Sequence, residues 1–261
     1  MARSTYYYHD QSEQQDKYST LKVLIKRIYD KHKGRYGYRR ITAELCRKGQ
    51  MINHKTVLKI MKILGLKSLI RRKKYKSYKG EQGKIAPNIL KRSFKAPAPQ
   101  QKWVTDVTEF KVKDKKLYLS PIMDLYNQEI ISYELSERPN FNQVTVMLKR
   151  AFRTLKDGAN LIFHSDQGWQ YQMKQYQLIL KHKGITQSMS RKGNCLDNAI
   201  IENFFGTLKS ELFYIQKFKS IEHLKREIKE YIKYYNNDRI KSNLNKMSPV
   251  EYRTHYYKSL N

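Results

Sequence analysis

Trp103-Val-Thr-Asp106-Val-Thr-Glu-Phe110 is a run of β-branched and aromatic residues with one acid at its centre, and its reading decides the fold. Residues of this kind fit a pleated, half-buried surface, so the run predicts a strand over 103–112. Strand-like runs over 117–124 and 129–135 follow it, then a helical run over 141–155. Beyond these, 161–165 and 185–189 read as strands, and 172–182, 197–212 and 221–236 as helices. Three strands followed by alternating helices and strands signal an α/β domain from residue 100 to 261. The order βββαβαβα with a further helix is that of a ribonuclease H-like core, a mixed sheet flanked by helices, although element order alone is compatible with other folds.

An acid inside a strand is costly if its face is buried and unpaired, so Asp106 calls for a cation. Asp166 directly follows the apolar run Leu161-Ile-Phe163, in His164-Ser-Asp166-Gln-Gly168, where a strand ends and sites of α/β sheets assemble. Glu202 lies in a helix whose apolar stripe is Ile201, Phe204, Phe205, Leu208 and Leu212. It stands about 100° round from Ile201, at the edge of the buried face. Asn198 and Gly206 flank it at i−4 and i+4, and Lys209 follows two turns on. Three carboxylates converging from two strands and a helix suit a hard divalent cation. Two magnesium ions about 3.5 to 4 Å apart are the arrangement that activates an attacking oxygen and stabilises a departing one at phosphorus. With 23 acids in the chain, position alone does not separate such a set from unrelated surface acids.

Upstream, Leu21, Leu24, Ile25 and Ile28 repeat at helical spacing, Tyr38 to Lys48 forms a second helix with Gly49 as its stop, and Asn53 caps a third built on Val57, Ile60, Met61 and Leu64. Three short helices with Lys55 and Lys59 on the outer face of the third resemble a helix-turn-helix module over 1–65; a structural bundle with solvated lysines shares the pattern. Residues 66–99 read as a basic linker: 66–95 hold eleven Lys or Arg, among them Arg71, Arg72, Lys73 and Lys74, with Tyr75 and Tyr78 interleaved and one acid. Such a segment suits a phosphate backbone, although a solvated tether needs no ligand.

The whole chain of 261 residues carries 53 Lys and Arg against 23 Asp and Glu, a net charge of +30, which points to nucleic acid as the polyanion that offsets it. No apolar run approaches a membrane span or a signal peptide, so the expectation is a cytoplasmic protein, nucleoid-associated when bound to DNA, with no membrane partner. Cys46 and Cys195 are far apart and read as ordinary thiols. Asp124 reads as a strand-terminal turn acid, Asp197 as the cap of the Glu202 helix, and His164, Trp103, Trp169, Tyr231, Tyr234 and Tyr235 as packing or rim residues.

The windows Trp103-Val-Thr-Asp106-Val-Thr, His164-Ser-Asp166-Gln-Gly and Asp197-Asn-Ala-Ile-Ile-Glu202-Asn-Phe-Phe resemble the catalytic signature of the DDE transposases of bacterial insertion sequences, whose core retroviral integrases share. The 36 positions from Asp166 to Glu202 match that group's D-35-E spacing, and Lys209 matches its basic residue seven after the glutamate. The likeness extends through Tyr36-Gly-Tyr-Arg-Arg40, Ile52-Asn-His-Lys-Thr-Val57, Tyr234-Tyr-Asn236-Asn-Asp-Arg239 and Met247-Ser-Pro249, nearly the whole chain. The resemblance implies that Asp106, Asp166 and Glu202 are catalytic and hold Mg2+, with Mn2+ as a substitute, and that Lys209 contacts DNA near the element's end. It implies nicking at insertion-sequence ends and joining of the freed 3′-hydroxyl to target DNA, with no covalent protein intermediate. It also implies a homo-oligomer on DNA. Ser4-Thr-Tyr-Tyr7 stands almost at Met1, where the family has a longer helical segment before it, so the chain reads as a second-frame (OrfB) product. In the family such a product is commonly joined by frameshifting to an upstream helix-turn-helix and leucine-zipper segment. A nuclease of the same fold and a non-catalytic DNA-binding protein are the rival readings; the intact acids weigh against the second.

Overall fold

The computed structural model describes residues 16, 18–69, 85–155 and 159–260. The chain forms two compact units, Met1–Arg71 and Arg72–Asn261.

In the first unit, α1 (Ser19–Lys31), α2 (Tyr38–Arg47) and α3 (His54–Ile63) bury Ile25, Ile28, Ile41, Leu45, Val57, Ile60 and Met61 against one another. The expected cap is present: the Asn53 side chain accepts from the Lys55 amide at 2.8 Å. Gly49 and Gly65, just past α2 and α3, adopt left-handed φ of +80° and +65°, which side chains disfavour. Lys55 and Lys59 are exposed on α3.

The second unit is built on a six-stranded mixed sheet. Its strands are β1 (Lys102–Thr105), β2 (Thr108–Val112), β3 (Lys115–Asp124), β4 (Ile130–Ser136), β5 (Ile162–Ser165) and β6 (Thr186–Met189). β4 pairs along one edge of β3, while β1 and β2 lie end to end along the other, and β5 and β6 add parallel to β1. Helices cover both faces. On one, α4 (Phe141–Phe152), the short α5 (Trp169–Gln172) and α6 (Lys174–His182) pack Met147, Leu148, Tyr171, Tyr176 and Leu180 against Trp103, Ile122 and Phe163. On the other, α7 (Ala199–Leu208) and α8 (Ile221–Asn237) pack Ile201, Phe204, Phe205, Leu208, Leu224 and Ile228 against Val104, Phe110, Leu117 and Leu119.

The strand expected over 103–112 is broken at Asp106 and Val107, so Asp106 does not lie inside a continuous ladder. Register is nevertheless continuous across the break, with Thr105 opposite Ile122 and Thr108 opposite Leu119. The gap therefore faces Ser120 and Pro121, and a proline has no amide hydrogen to donate. The linker expected over 66–99 is corrected at both described ends. Leu69 N donates to Gly34 O at 3.0 Å and Tyr29 Oη to Lys67 O at 2.7 Å, which attaches 66–69 to the helical unit. At the other end, Leu90 is buried in the core of the sheet unit and the Ile89 and Leu90 amides donate to Ser188 Oγ on the edge strand β6. Basic composition hides the apolar Ala86, Leu90 and Phe94 that make this docking favourable. The helix α9 (Pro249–Lys258) adds to the expected elements; Ser248 and Glu251 form a capping box ahead of it, with Pro249 at its first position.

Past α7 the chain continues as a π-helical turn, Lys209–Phe213. Glu211 in this turn is buried and accepts from Arg239 Nε at 2.9 Å and Nη2 at 2.7 Å, and from Tyr231 Oη at 2.8 Å. Asn236, in the same Tyr-Tyr-Asn motif, exchanges two hydrogen bonds with the Ile130 backbone and so closes the start of β4. Removing one member of a buried ion pair strands the other charge, so Arg239→Ala is expected to lower unfolding free energy by roughly 3–5 kcal/mol. The double variant Glu211→Leu/Arg239→Met loses much less, as denaturant titration checks.

Candidate active site

The parallel pairing of β1 and β5 sets Thr105 beside Ser165, so Asp106 and Asp166 are the next residues of two adjacent strands. Asp106 is half-buried, and its Oδ1 accepts from the Val107 amide at 2.7 Å. Burial, and then the charge of Asp166, push its carboxyl well above the ordinary aspartate range; the Val107 amide opposes this, Glu202 adds to it, and Lys209 draws it back. Asp166 is raised by burial, against which the Gly168 amide donates to Oδ1 at 2.9 Å. Gly168 is held open by this arrangement: a Cβ there would lie 2.7 Å from Gln170 Nε2 and 3.0 Å from Asp166 Oδ1.

Glu202 stands in the first turn of α7, half-buried, and is raised by burial and by the charge of Asp166. The three acids thus share one electrostatic field. Among the described residues no group of three His, Cys, Asp or Glu is arranged to hold a metal ion, so as placed the carboxylates do not close into a ligand set. Their donor chemistry fits a hard cation all the same, because burial and mutual repulsion leave this corner of the sheet short of positive charge. Asn198, at the start of α7, donates from Nδ2 to Thr105 O at 3.3 Å and so ties the helix of Glu202 to the strand of Asp106. Lys209 donates to Thr108 Oγ1 at 2.6 Å and lies 5.1 Å over the Phe110 ring, which places its charge on β2 just beyond Asp106.

Asp197 does not cap the Glu202 helix. It is fully buried ahead of α7 and accepts from Arg191 N, Nε and Nη2, from Arg92 Nε and from Asn88 Nδ2, a set that holds its carboxyl far below the usual range. Proximity to a helix start looks like capping in sequence, whereas these partners come from 105 and 109 residues away as well as from nearby. Asp124 lies at the opposite end of β1, facing Trp103, and accepts from Gln100 N, Trp103 Nε1 and Tyr126 N; burial raises it to about 6. His164 is buried between Ser188 Oγ at 2.8 Å and Ser190 Oγ at 3.1 Å, a packed histidine whose pKa burial lowers to about 4. Trp103 is in the core, while Trp169 is 52% exposed on an open groove of about 380 Å³ that also meets Val107, Tyr118, Asn140 and Gln143. Tyr231 and Tyr235 are packed beneath α8. Arg71, Arg72, Lys73 and Lys74 lie outside the described residues.

Comparison with known proteins agrees with this architecture. Residues 16–74 match the model of an HTH-like domain, and 96–195 and 202–257 match two models of the integrase core domain. Residues 75–95 and 196–201 fall between the matches. The fold and these matches define an integrase-type polynucleotidyl transferase. The chain belongs to the DDE transposases of insertion sequences, and its activity is DNA transposition and integration. It is 56% identical to the InsK protein of insertion sequence element IS150 from Escherichia coli K12 over 256 residues, 98% of this chain and 90% of that one. It is 38% identical to the transposase of IS904 from Lactococcus lactis, over 92% of this chain and 96% of that one. A chain of the simian T-cell lymphotropic virus intasome in complex with PP2A regulatory subunit B56 gamma shares the fold at 15% identity, with a TM-score of 0.50 over 88% of this chain and 74% of that one.

Gly168→Ala is expected to push the Gln170 amide aside and the Asp166 carboxylate back by a few tenths of an ångström, and to slow DNA cleavage by up to about tenfold, less than the roughly 100-fold of a full 1 Å misplacement. Thermal unfolding and cleavage rate measured on the same sample check that the fold survives.

Proposed function

We propose that Asp106, Asp166 and Glu202 are the catalytic ligands of two divalent cations, Mg2+ or Mn2+, and that the chain nicks insertion-sequence ends and joins the freed 3′-hydroxyl to target DNA. The observation that carries this reading is the register of β1 and β5, which makes two acids neighbours at strand ends within the field of a third. Bound cations supply activation of the attacking oxygen and stabilisation of the departing one. The protein's part is to hold the carboxylates and to receive the DNA. Gly168 N–H and Val107 N–H orient two of the carboxylates, Asn198 anchors the helix of the third, and Lys209 at the β2 rim binds a phosphate near the cleaved end.

The helical unit contacts DNA through Lys55 and Lys59 on α3, and the basic run Arg71, Arg72, Lys73 and Lys74 follows the phosphate backbone. The working form is a homo-oligomer on DNA, because two element ends must be processed together.

Nicking of supercoiled plasmid with manganese or magnesium tests the site. Wild type is expected to nick, and Glu202→Gln to lose nicking while its DNA affinity stays close to wild type, since the substitution removes a metal ligand and leaves every phosphate-binding cation in place. Equal loss of binding and cutting contradicts the assignment. Joining of a supplied 3′-hydroxyl separates a transposase from a hydrolase. Replacing Arg71, Arg72, Lys73 and Lys74 by Gln is expected to flatten the salt dependence of DNA binding by roughly 0.9 in log–log slope for each phosphate no longer neutralised. An unchanged slope removes the linker from the DNA interface.

A further inference from the structure

The buried carboxylate of Asp197 joins three pieces of chain that lie far apart in sequence. From the loop before α7, Arg191 gives its amide and two guanidinium donors at 2.9–3.0 Å. From the segment ahead of the sheet, Arg92 Nε donates at 2.8 Å and Asn88 Nδ2 at 2.9 Å. Arg92 Nη2 also reaches Asn194 Oδ1 at 3.0 Å, so that one arginine grips both ends of the 194–197 turn. The segment is fixed independently: the Ile89 and Leu90 amides bond Ser188 on β6, and Leu90 enters the apolar cluster that contains Ile201, Phe204 and Phe205 of α7. Lys91 and Arg92 both take left-handed φ, +45° and +62°, a strained backbone that places Arg92 on Asp197.

The next residue faces the other way. Asn198 is 2% exposed and gives its side-chain amide hydrogen to Thr105 O, directly before Asp106, while its Oδ1 has no hydrogen-bond partner among the described residues. Asp197 and Asn198 therefore form a two-residue joint, tied on one side to residues 88–92 and on the other to the strand of Asp106. One helical turn later α7 carries Glu202.

We propose that residues 88–92 are a positioning element of the catalytic site: through Asn88 and Arg92 they hold Asp197, and Asp197 sets the joint that aims the Glu202 helix at Asp106. Neither the segment nor the joint touches the reacting atoms, so both act through Glu202, and this inference rests on Glu202 being a metal ligand. The physical basis is that a fully buried carboxylate keeps its place only while its donors do. Loosening them frees the first turn of α7, which is then tied to β1 by the 3.3 Å bond from Asn198 and by the apolar packing of Ile201 on Val104.

The test uses the full chain with Asn88→Ala, Arg92→Ala and Arg92→Lys. The Arg92 side chain is 42% exposed and Arg191 still neutralises Asp197 in its absence, and thermal unfolding of each variant, read on the same sample, separates a local loosening from loss of the fold. Hydrogen exchange of the amides over 194–204 is read without metal or DNA, and the saturating rate of plasmid nicking with manganese is read beside plasmid affinity. Asn88→Ala and Arg92→Ala are expected to speed exchange over this stretch by roughly tenfold and to slow nicking by about 10- to 100-fold at nearly unchanged affinity, with Arg92→Lys recovering much of both. Unchanged exchange in both alanine variants overturns the proposal. So does a rate loss matched by weaker, less salt-dependent plasmid binding, which makes Arg92 a DNA-binding residue. If wild type itself does not nick, the catalytic assignment fails, and the exchange data still decide whether residues 88–92 hold the joint.

Discussion

The catalytic unit depends on the parallel pairing of β1 with β5 at Thr105 and Ser165. That register delivers Asp106 and Asp166 to adjacent strand ends, and the field they create there governs what else the site contains. Two half-buried carboxylates side by side repel each other and resist ionisation. The surroundings answer with backbone amides from Val107 and Gly168, and with the Lys209 ammonium held on Thr108. These donors only partly offset the burial, and all three acids stay above their ordinary range. A site of this kind attracts cations and phosphate-bound metal by its own electrostatics.

Local rules are broken where the site is built. Pro121 sits in the central strand β3, opposite the gap that frees Asp106 from the ladder, a place where proline is ordinarily excluded. The helix after Glu202 widens into a π-helical turn at Lys209, a feature that recurs at functional positions. Both departures are secured from elsewhere. Thr105 Oγ1 bonds the Pro121 carbonyl at 2.9 Å, and the buried Glu211–Arg239 pair clamps the π turn. The Tyr-Tyr-Asn-Asn-Asp-Arg motif thereby has a physical role: Arg239, with Tyr231 one turn ahead of the motif, satisfies Glu211, and Asn236 seals the edge at Ile130.

Much of this is legible in one-dimensional pattern. The three helices of the first unit follow from apolar spacing and from Asn53, Gly49 and Gly65 at their ends, because capping and helical period are local properties. The strands and the stripe of α7 follow for the same reason. A basic or polar composition conceals the rest. Residues 85–95 look like tether by charge, yet a few apolar side chains and two amides bind them to β6. Asp197 looks like a cap by position, yet its partners are distant arginines. The α9 start is readable as a capping box at Ser248, but it lies in a polar run with no strong apolar period.

The sequence by itself determined most of the element types, the net charge, and the motif spacing that singles out the three acids proposed as the site, since propensity, charge and spacing need no third dimension. Only the tertiary structure decided which acids become neighbours, that Lys209 leans on Thr108, and that Asp197 belongs to Arg92 and Arg191. Strand register and buried ion pairs join residues about a hundred positions apart. Such pairings form only when the sheet and helices have packed, and they leave no periodic trace along the chain.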